Sequence, residues 1–253
     1  MRQLFPRFVD PIDPITLYAD VPAVEGRPTV RLNMIASVDG AVSVDGTSGR
    51  LGGPADHRLF AVLRGSADVV LVAAGTLRAE HYGPSAVPIA VVSRSCRLDW
   101  TAPLFAAAIA RPIVITVAGA PARDRSQAAD VADVLIAGDQ DVDLSRAVRG
   151  LADYGFRTVQ AEGGPSLNGQ LASAGLLDEL CLTISPYLIG GAAGRILSGT
   201  GLTRPVGLRL HTLCEEDGFL FGRFRPTHVH AAECPDPVTA GAGDETQPVN
   251  RAS

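Results

Sequence analysis

Residues 158–167 read Thr158-Val159-Gln160-Ala161-Glu162-Gly163-Gly164-Pro165-Ser166-Leu167, and the fold turns on this stretch. A β-prone run stops at Glu162, two glycines follow, and Pro165-Ser166 opens a segment, Leu167 to Ala174, with helical apolar spacing. The pattern is strand, tight turn, helix. Glycines let backbone amides approach a ligand with no Cβ in the way, and the helix start behind them offers unpaired N–H groups and a positive dipole end. A phosphate suits such a turn. Glu162, at the carboxyl end of the strand, sits where open α/β sheets place ligand-contacting side chains. A plain strand-to-helix turn with a solvated glutamate has the same local pattern, so the rest of the chain has to supply context.

On the amino-terminal side, Thr29 to Ala36 is a strand that ends in Ser37-Val38-Asp39-Gly40, where Asp-Gly marks a turn. Small and polar residues then run to Gly53, with five glycines counting Gly40, as suits a loop able to close over a ligand. Pro54-Ala55-Asp56 begins a helix with Leu59, Phe60, Val62 and Leu63 on one face. Val69 to Val72 is continuously apolar, as a strand buried on both faces should be, and Ala74-Gly75-Thr76 follows as a second turn. Ile89 to Val92 ending in Ser93-Arg94, Ile113 to Val117 and the shorter Val134 to Ile136 repeat the strand pattern, and a helix covers Leu144 to Ala152. This alternation predicts an α/β fold with a central, mostly parallel sheet flanked by helices.

After Leu177 the rhythm changes. Glu179 to Ser185 is a strand close behind a helix, Pro186 to Gly201 is Gly-rich, and Leu208 to Cys214 and Phe219 to Phe224 flank the hairpin signal Glu215-Glu216-Asp217-Gly218. The sheet should finish with an antiparallel hairpin. Residues 1–28, with five prolines, read as an arm on the domain edge with one short helix near Ile15 to Tyr18; residues 29–226 form the domain. Residues 227–253 lack periodicity and read as a disordered tail.

Of the 253 residues 46% are hydrophobic and 19% charged, which fits one sizeable globular domain. A net charge of -5 argues against a nucleic-acid partner. Cys96, Cys181, Cys214 and Cys234 lie far apart with no CxxC pair, so neither a zinc site nor a disulfide framework is indicated. Met1 to Asp20 has no basic end with an apolar run, and no stretch reaches membrane-span length, which leaves a cytoplasmic protein as the default expectation.

Several turns taken in order are more specific than any one alone. Ser37-Val38-Asp39-Gly40, Leu63-Arg64, Ala67-Asp68-x-x-Leu71-Val72-x-x-Gly75-Thr76, Glu162-Gly163-Gly164-Pro165 and Pro186-x-x-Ile189-Gly190-Gly191 together resemble the reductase family of riboflavin biosynthesis. That family is the carboxy-terminal half of a bifunctional deaminase-reductase, with a dihydrofolate-reductase-like fold, and the resemblance runs from about Val30 to Arg225. It implies NADPH as hydride donor across the carboxyl ends of the strands. By position, Thr76 and Glu80 would contact the cofactor, while Gly163, Gly164, Pro165, Ser166 and Leu167 would hold its pyrophosphate. Ser93 falls where the family contacts the adenosine half, and Arg94 beside it suits the 2′-phosphate, which a guanidinium grips through several donors. Ser37, Ser48, Arg64 and Glu162 match substrate-contacting positions, and Asp39 shapes the pocket turn.

The chain also departs from the family. Asn33 stands where a lysine is usual, Ala41 replaces a common basic residue, and Glu80-His81-Tyr82-Gly83-Pro84 replaces an Asp-Pro-x-Leu-Thr-x-Arg stretch, so no substrate-phosphate arginine is found. The cofactor half looks intact and the substrate half altered, which resembles a divergent branch with members associated with pterin or folate reduction. The His-x-Glu and Pro-Cys-x-x-Cys motifs of the deaminase half do not occur.

The leading expectation is NADPH-dependent reduction of a C=N bond in a pyrimidine-like or pterin-like small molecule, as in 5-amino-6-(5-phosphoribosylamino)uracil reduction. Glu162 would accept hydrogen bonds from ring N–H and amino groups, and Asn33, able to donate and accept, would meet a ring carbonyl. Asp39 is the candidate for orienting substrate or relaying a proton, with capping of its own turn as the alternative. His81 would supply a proton near neutral pH or be simply solvated. Rival readings are dihydrofolate reduction in the same pocket, an NADPH-binding protein without chemistry, and flavin binding on another α/β scaffold. The family usually forms homodimers, which makes Leu177 to Ile189 and Leu208 to Phe224 the candidate interface.

Overall fold

Helices cover both faces of the sheet that the apolar runs build. The computed structural model describes residues 1–227. Its strands are β1 (Arg2–Phe5), β2 (Thr29–Ser37), β3 (Val69–Ala73), β4 (Ile89–Val92), β5 (Ile113–Thr116), β6 (Asp133–Ile136), β7 (Thr158–Ala161), β8 (Glu179–Ser185), β9 (Leu208–Glu216) and β10 (Phe219–Pro226). The helices are α1 (Pro14–Tyr18), α2 (Pro54–Gly65), α3 (Ala74–Ala79), α4 (Pro103–Ala106), α5 (Ala122–Val131), α6 (Leu144–Ala152) and α7 (Pro165–Ser173). The order across the sheet is β1-β9-β10-β8-β2-β7-β3-β4-β5-β6. Neighbours from β8 through β6 run parallel, and β10, β9 and β1 continue the sheet antiparallel. The expected fold class holds, as does the closing hairpin.

Side-chain alternation along β3 separates the two layers. Val69 and Leu71 join Leu144, Val148, Leu167 and Leu171 in a core beneath α6 and α7. Val70 and Val72 face the other way, into a core with Leu77, Leu104 and Ala128 beneath α3, α4 and α5. β7 occupies the place between β2 and β3, so the chain leaves β2, crosses one position to β3, and returns later to fill the gap. At such a switch the carboxyl ends of neighbouring strands diverge and leave room for a ligand.

Four local expectations change. The 1–28 arm is joined to the sheet: Arg2–Phe5 pairs antiparallel with β9, four residues too few and too close to Pro6 to show as a strand signal. Its short helix is α1, one residue earlier than read, with Asp13 accepting from the Ile15 and Thr16 amides. Ala74-Gly75-Thr76 is not a free turn but the first turn of α3, which follows β3 without a linker. α5 went unread because Ala128 is its one buried residue, which leaves no apolar stripe. The tail beyond residue 227 lies outside the described residues. No helix among the described residues is long and apolar enough to cross a membrane.

Candidate active site

A crevice of about 570 Å³ opens at the carboxyl ends of β2, β3 and β7. Into it the fold brings Asn33 from β2, Ser48 from the glycine-rich loop, Arg64 from the last turn of α2, Thr76 and Glu80 at α3, and Glu162, Gly164 and Pro165 from the β7–α7 turn. Residues far apart in the chain thus share one cavity, as the parallel-sheet expectation requires.

Glu162 anchors the crevice. Its carboxylate is nearly buried, and Arg64 Nε and Nη2 donate to Oε1 and Oε2 at 2.8 and 2.6 Å. The Tyr82 hydroxyl also donates to Oε2, at 2.8 Å. The fork-to-carboxylate match fixes orientation as well as charge. The Arg64 guanidinium is further held over the rings of Phe60 and Tyr82, 4.5 and 5.1 Å from their centroids. Burial works against the charge on Arg64, but the Glu162 carboxylate more than offsets it and leaves the guanidinium pKa raised. Burial, and then the Glu162 charge, push the Tyr82 phenol far above its usual range, so it remains a donor. A carboxylate has roughly four acceptor directions. Three are used, and Glu162 lines the cavity.

Tyr82 was not singled out from sequence. Its signal was the altered stretch after Thr76, but only the fold shows that position 82 reaches position 162. Glu80 lines the cavity with Oε1 turned toward the glycine-rich loop, where it accepts the Ser48 N–H at 2.8 Å. The same loop is pinned at its far end by the buried Ser185, whose hydroxyl donates to Leu51 O at 2.7 Å.

The β7–α7 turn has the properties its glycines suggest. Gly163 has φ +92° and its carbonyl accepts the Ala73 N–H at 2.7 Å. Gly164 caps α7 with no side-chain hydrogen bond, so the first-turn amides are left to a ligand or water. A Cβ on Gly164 would stand 2.7 Å from Thr76 Oγ1. Thr76 and the α7 amides therefore border one narrow cradle that a side chain would fill, and its donors fit a pyrophosphate. Ser166 faces the other way, with Gln170, into a second hollow of about 870 Å³ bounded by Val142, Leu144 and residues 195–202. Leu167 is core, so only its backbone can meet a ligand.

Other expected site residues lie elsewhere. Ser37 and Asp39 line a separate hollow of about 470 Å³ with Gly190, Gly191 and Arg195. Ser37 Oγ donates to Asp39 at 2.5 Å and accepts the Ala41 N–H at 2.9 Å, while the Ile189 and Gly190 amides donate to Asp39 at 3.2 and 2.6 Å. The Ser37 hydroxyl and then these amides lower the Asp39 pKa to about 2. Of the two expectations for Asp39 these contacts match the turn-capping one, and with Ser37 it ties the 37–41 turn to the 189–190 loop, away from the crevice. Nor do Ser93 and Arg94 converge on the crevice. Ser93 is buried at the end of β4, its N–H on Ile115 O, and Arg94 is exposed, paired with Asp141 at 3.1 Å.

The family profile described as the RibD C-terminal domain matches residues 28–217. A 2,5-diamino-6-ribosylamino-4(3H)-pyrimidinone 5′-phosphate reductase from Methanothermobacter thermautotrophicus is 30% identical over 188 residues, 70% of this chain and 86% of the relative. A reductase of the same description from Archaeoglobus fulgidus is 31% identical over 183 residues, 65% of this chain and 83% of the relative. Among solved structures, a pyrimidine reductase-like protein from Corynebacterium diphtheriae is similar with TM-score 0.73 and 26% identity, covering 85% of this chain and 99% of that one.

Proposed function

The chain belongs to the RibD C-terminal domain family, and on that premise we propose that it is an NADPH-dependent reductase of a ribosylaminopyrimidine phosphate in riboflavin biosynthesis. The observation that carries the reading is the crevice in which Glu162, oriented by Arg64 and Tyr82, opens beside the uncapped start of α7. The relatives described above are reductases of such a substrate, which favours this reading over dihydrofolate reduction or a role without chemistry.

When bound, NADPH supplies a hydride to an electron-poor carbon. The protein's own share is binding and orientation. The α7 amides and the Thr76 hydroxyl would hold the pyrophosphate, and the hollow bounded by Ser166 and Gln170 would take the adenosine half. Arg94, exposed and paired with Asp141, is the residue that would exchange that partner for the 2′-phosphate. Glu162 accepts hydrogen bonds from ring N–H and amino groups on its open side, and Asn33 pairs with a ring carbonyl. The loop from Gly40 to Gly53, fixed through Ser48 and Leu51, covers the reacting atoms and excludes water. The protein works in the cytoplasm as a homodimer joined through β8 and the β9–β10 hairpin.

The test is NADPH oxidation by the pure protein, followed at the nicotinamide absorbance band, with the ribosylaminopyrimidine phosphate and dihydrofolate offered separately. Turnover of the pyrimidine is the expected result. Turnover of dihydrofolate alone overturns the substrate assignment, and tight NADPH binding with neither turned over overturns the catalytic one.

A further inference from the structure

The glycine-rich connection from β8 to β9 has no task in the function described above, yet its residues 195–202 wall the hollow of about 870 Å³ beside α7. Three contacts fasten that wall to the helix. The Ser198 N–H donates to Pro165 O at 2.9 Å, Asn168 Nδ2 donates to Ile196 O at 2.7 Å, and a Cβ on Gly169 would overlap the Ser198 carbonyl oxygen. Pro165 is the first residue of α7, so the wall is seated on the helix start that carries no side-chain cap. Asn168 is buried, and its Oδ1 has no partner among the described residues. The bond to Ile196 is therefore the main one its amide makes, and it acts as a latch.

The latched wall presents Arg195. This side chain is exposed, lines both the larger hollow and the smaller one beside Asp39, and has no hydrogen-bond or ion-pair partner among the described residues. Asp39, the carboxylate of the smaller hollow, is already met by Ser37 and by the Ile189 and Gly190 amides. Among the described residues no carboxylate lines the larger hollow, and its other polar side chains, Ser166, Gln170, Ser173, Ser198 and Thr200, are neutral. The crevice has the opposite balance. Asp56, Glu80 and Glu162 line it with a single guanidinium, Arg64, which Glu162 already holds. A ligand with several phosphate charges is favoured on the side of the hollow and disfavoured in the crevice.

We propose that Arg195 binds a phosphate group of the cofactor and that Asn168 is the positioning residue that keeps it there, an inference that rests on the reductase reading. A guanidinium meets phosphate oxygens through paired N–H donors, and one with no carboxylate partner gives up only water to do so. Two groups of the cofactor supply that chemistry, the pyrophosphate and the 2′-phosphate of the adenosine half. Asn168 touches neither. It acts through Ile196, the residue next to Arg195.

The experiment is calorimetric titration of the full chain with NADPH and, separately, with NADH. R195Q changes an exposed side chain, so thermal unfolding should not move, while NADPH should bind about tenfold more weakly. R195K keeps the charge and should recover part of that loss. The deficit should shrink in high salt, which screens an exposed pair. Weakening of both cofactors identifies the pyrophosphate as the group bound, and weakening of NADPH alone identifies the 2′-phosphate. N168L removes the latch, and NADPH affinity should fall by about the same factor as in R195Q. The double variant should then be little weaker than R195Q, because a loosened wall no longer delivers a guanidinium that is already gone. Should N168L not fold, N168A takes its place. Losses that multiply in the double variant overturn the positioning role of Asn168. R195Q within about twofold of wild type for both cofactors overturns the assignment of Arg195 and leaves the reductase reading in place. If the wild-type chain binds neither cofactor, both fall.

Discussion

Two glutamates in this molecule are paired with arginines, and they do opposite things. Glu179, at the start of β8, has no exposure: Oε2 accepts from Arg31 Nε at 2.7 Å, and Oε1 from Arg223 Nη2 at 2.7 Å and Arg225 Nε at 3.3 Å. The arginines spend further donors on Ser66 Oγ and on the Tyr18, Leu17 and Asp20 carbonyls, which fastens α1 and the residues after it to β2, β8 and β10. Burial and the Glu179 charge push the nearby Cys181 thiol up to about 12. Glu162 also has a guanidinium, but one side of its carboxylate looks onto a cavity. The contrast shows that ion pairing does not mark a functional residue. What sets Glu162 apart, under the proposed function, is its place on a cavity that a ligand can reach.

The largest effect should come from breaking the sealed network. Glu179→Ala strands two buried guanidiniums and should cost about 3–5 kcal/mol, read from denaturant unfolding. Glu162→Gln should do the reverse, since Arg64 still reaches solvent: about 1–2 kcal/mol of stability, but roughly a hundredfold in kcat/KM. Equal stability losses in the two variants would erase the distinction between the two networks.

Gly164→Ala tests the cradle beside Glu162. Its Cβ would meet Thr76 Oγ1 at 2.7 Å, so stability should fall by about 1–3 kcal/mol, and calorimetry should show NADPH binding weakened roughly tenfold. Tyr82→Phe removes one of three hydrogen bonds to Glu162. Activity should drop about fivefold, mainly in substrate KM, with less than about 1 kcal/mol lost from the fold.

The smallest effect concerns Asp39, a third and fully exposed carboxylate. Its pKa is depressed from 3.8 to about 2, so its contribution is complete above about pH 4 and is lost as pH falls through about 2. Amide exchange at Gly190 should stay slow at neutral pH and quicken only in that acid window, with no change in the neutral rate of reduction.

Much of the scaffold was legible because burial leaves a period in the sequence. Val69 to Val72 is buried on both faces and reads as an unbroken apolar run, and α6 buries Leu144, Ala147, Val148 and Leu151 on one stripe. β1 and α5 bury little of their own length and so left no period. Of the site, Glu162, Arg64, Thr76 and the glycine turn were placed by motif, and the fold brings them into one crevice. Tyr82 was not found, because its significance lies in a contact across 80 positions of sequence, to Glu162. Asp39 stayed open between two roles for the converse reason. A carboxylate in a polar turn has the same local sequence whether it faces a substrate or two backbone amides.

The insertion of β7 between β2 and β3 also sets the order in which the molecule can be born. β2 ends at Ser37 and β7 begins at Thr158, so at roughly 5–20 residues per second a ribosome leaves the slot between them open for about ten seconds. Strands β3 to β6 can zip together meanwhile, each beside a neighbour already made. β2 waits with Val30 and Leu32 uncovered until β7 and β8 emerge, the kind of long-range closure that makes folding slow. Glu162 follows the last residue of the strand that closes the slot. Site and sheet are therefore completed in one event, and an unfinished chain offers a nascent-chain chaperone an exposed strand and its substrate nothing.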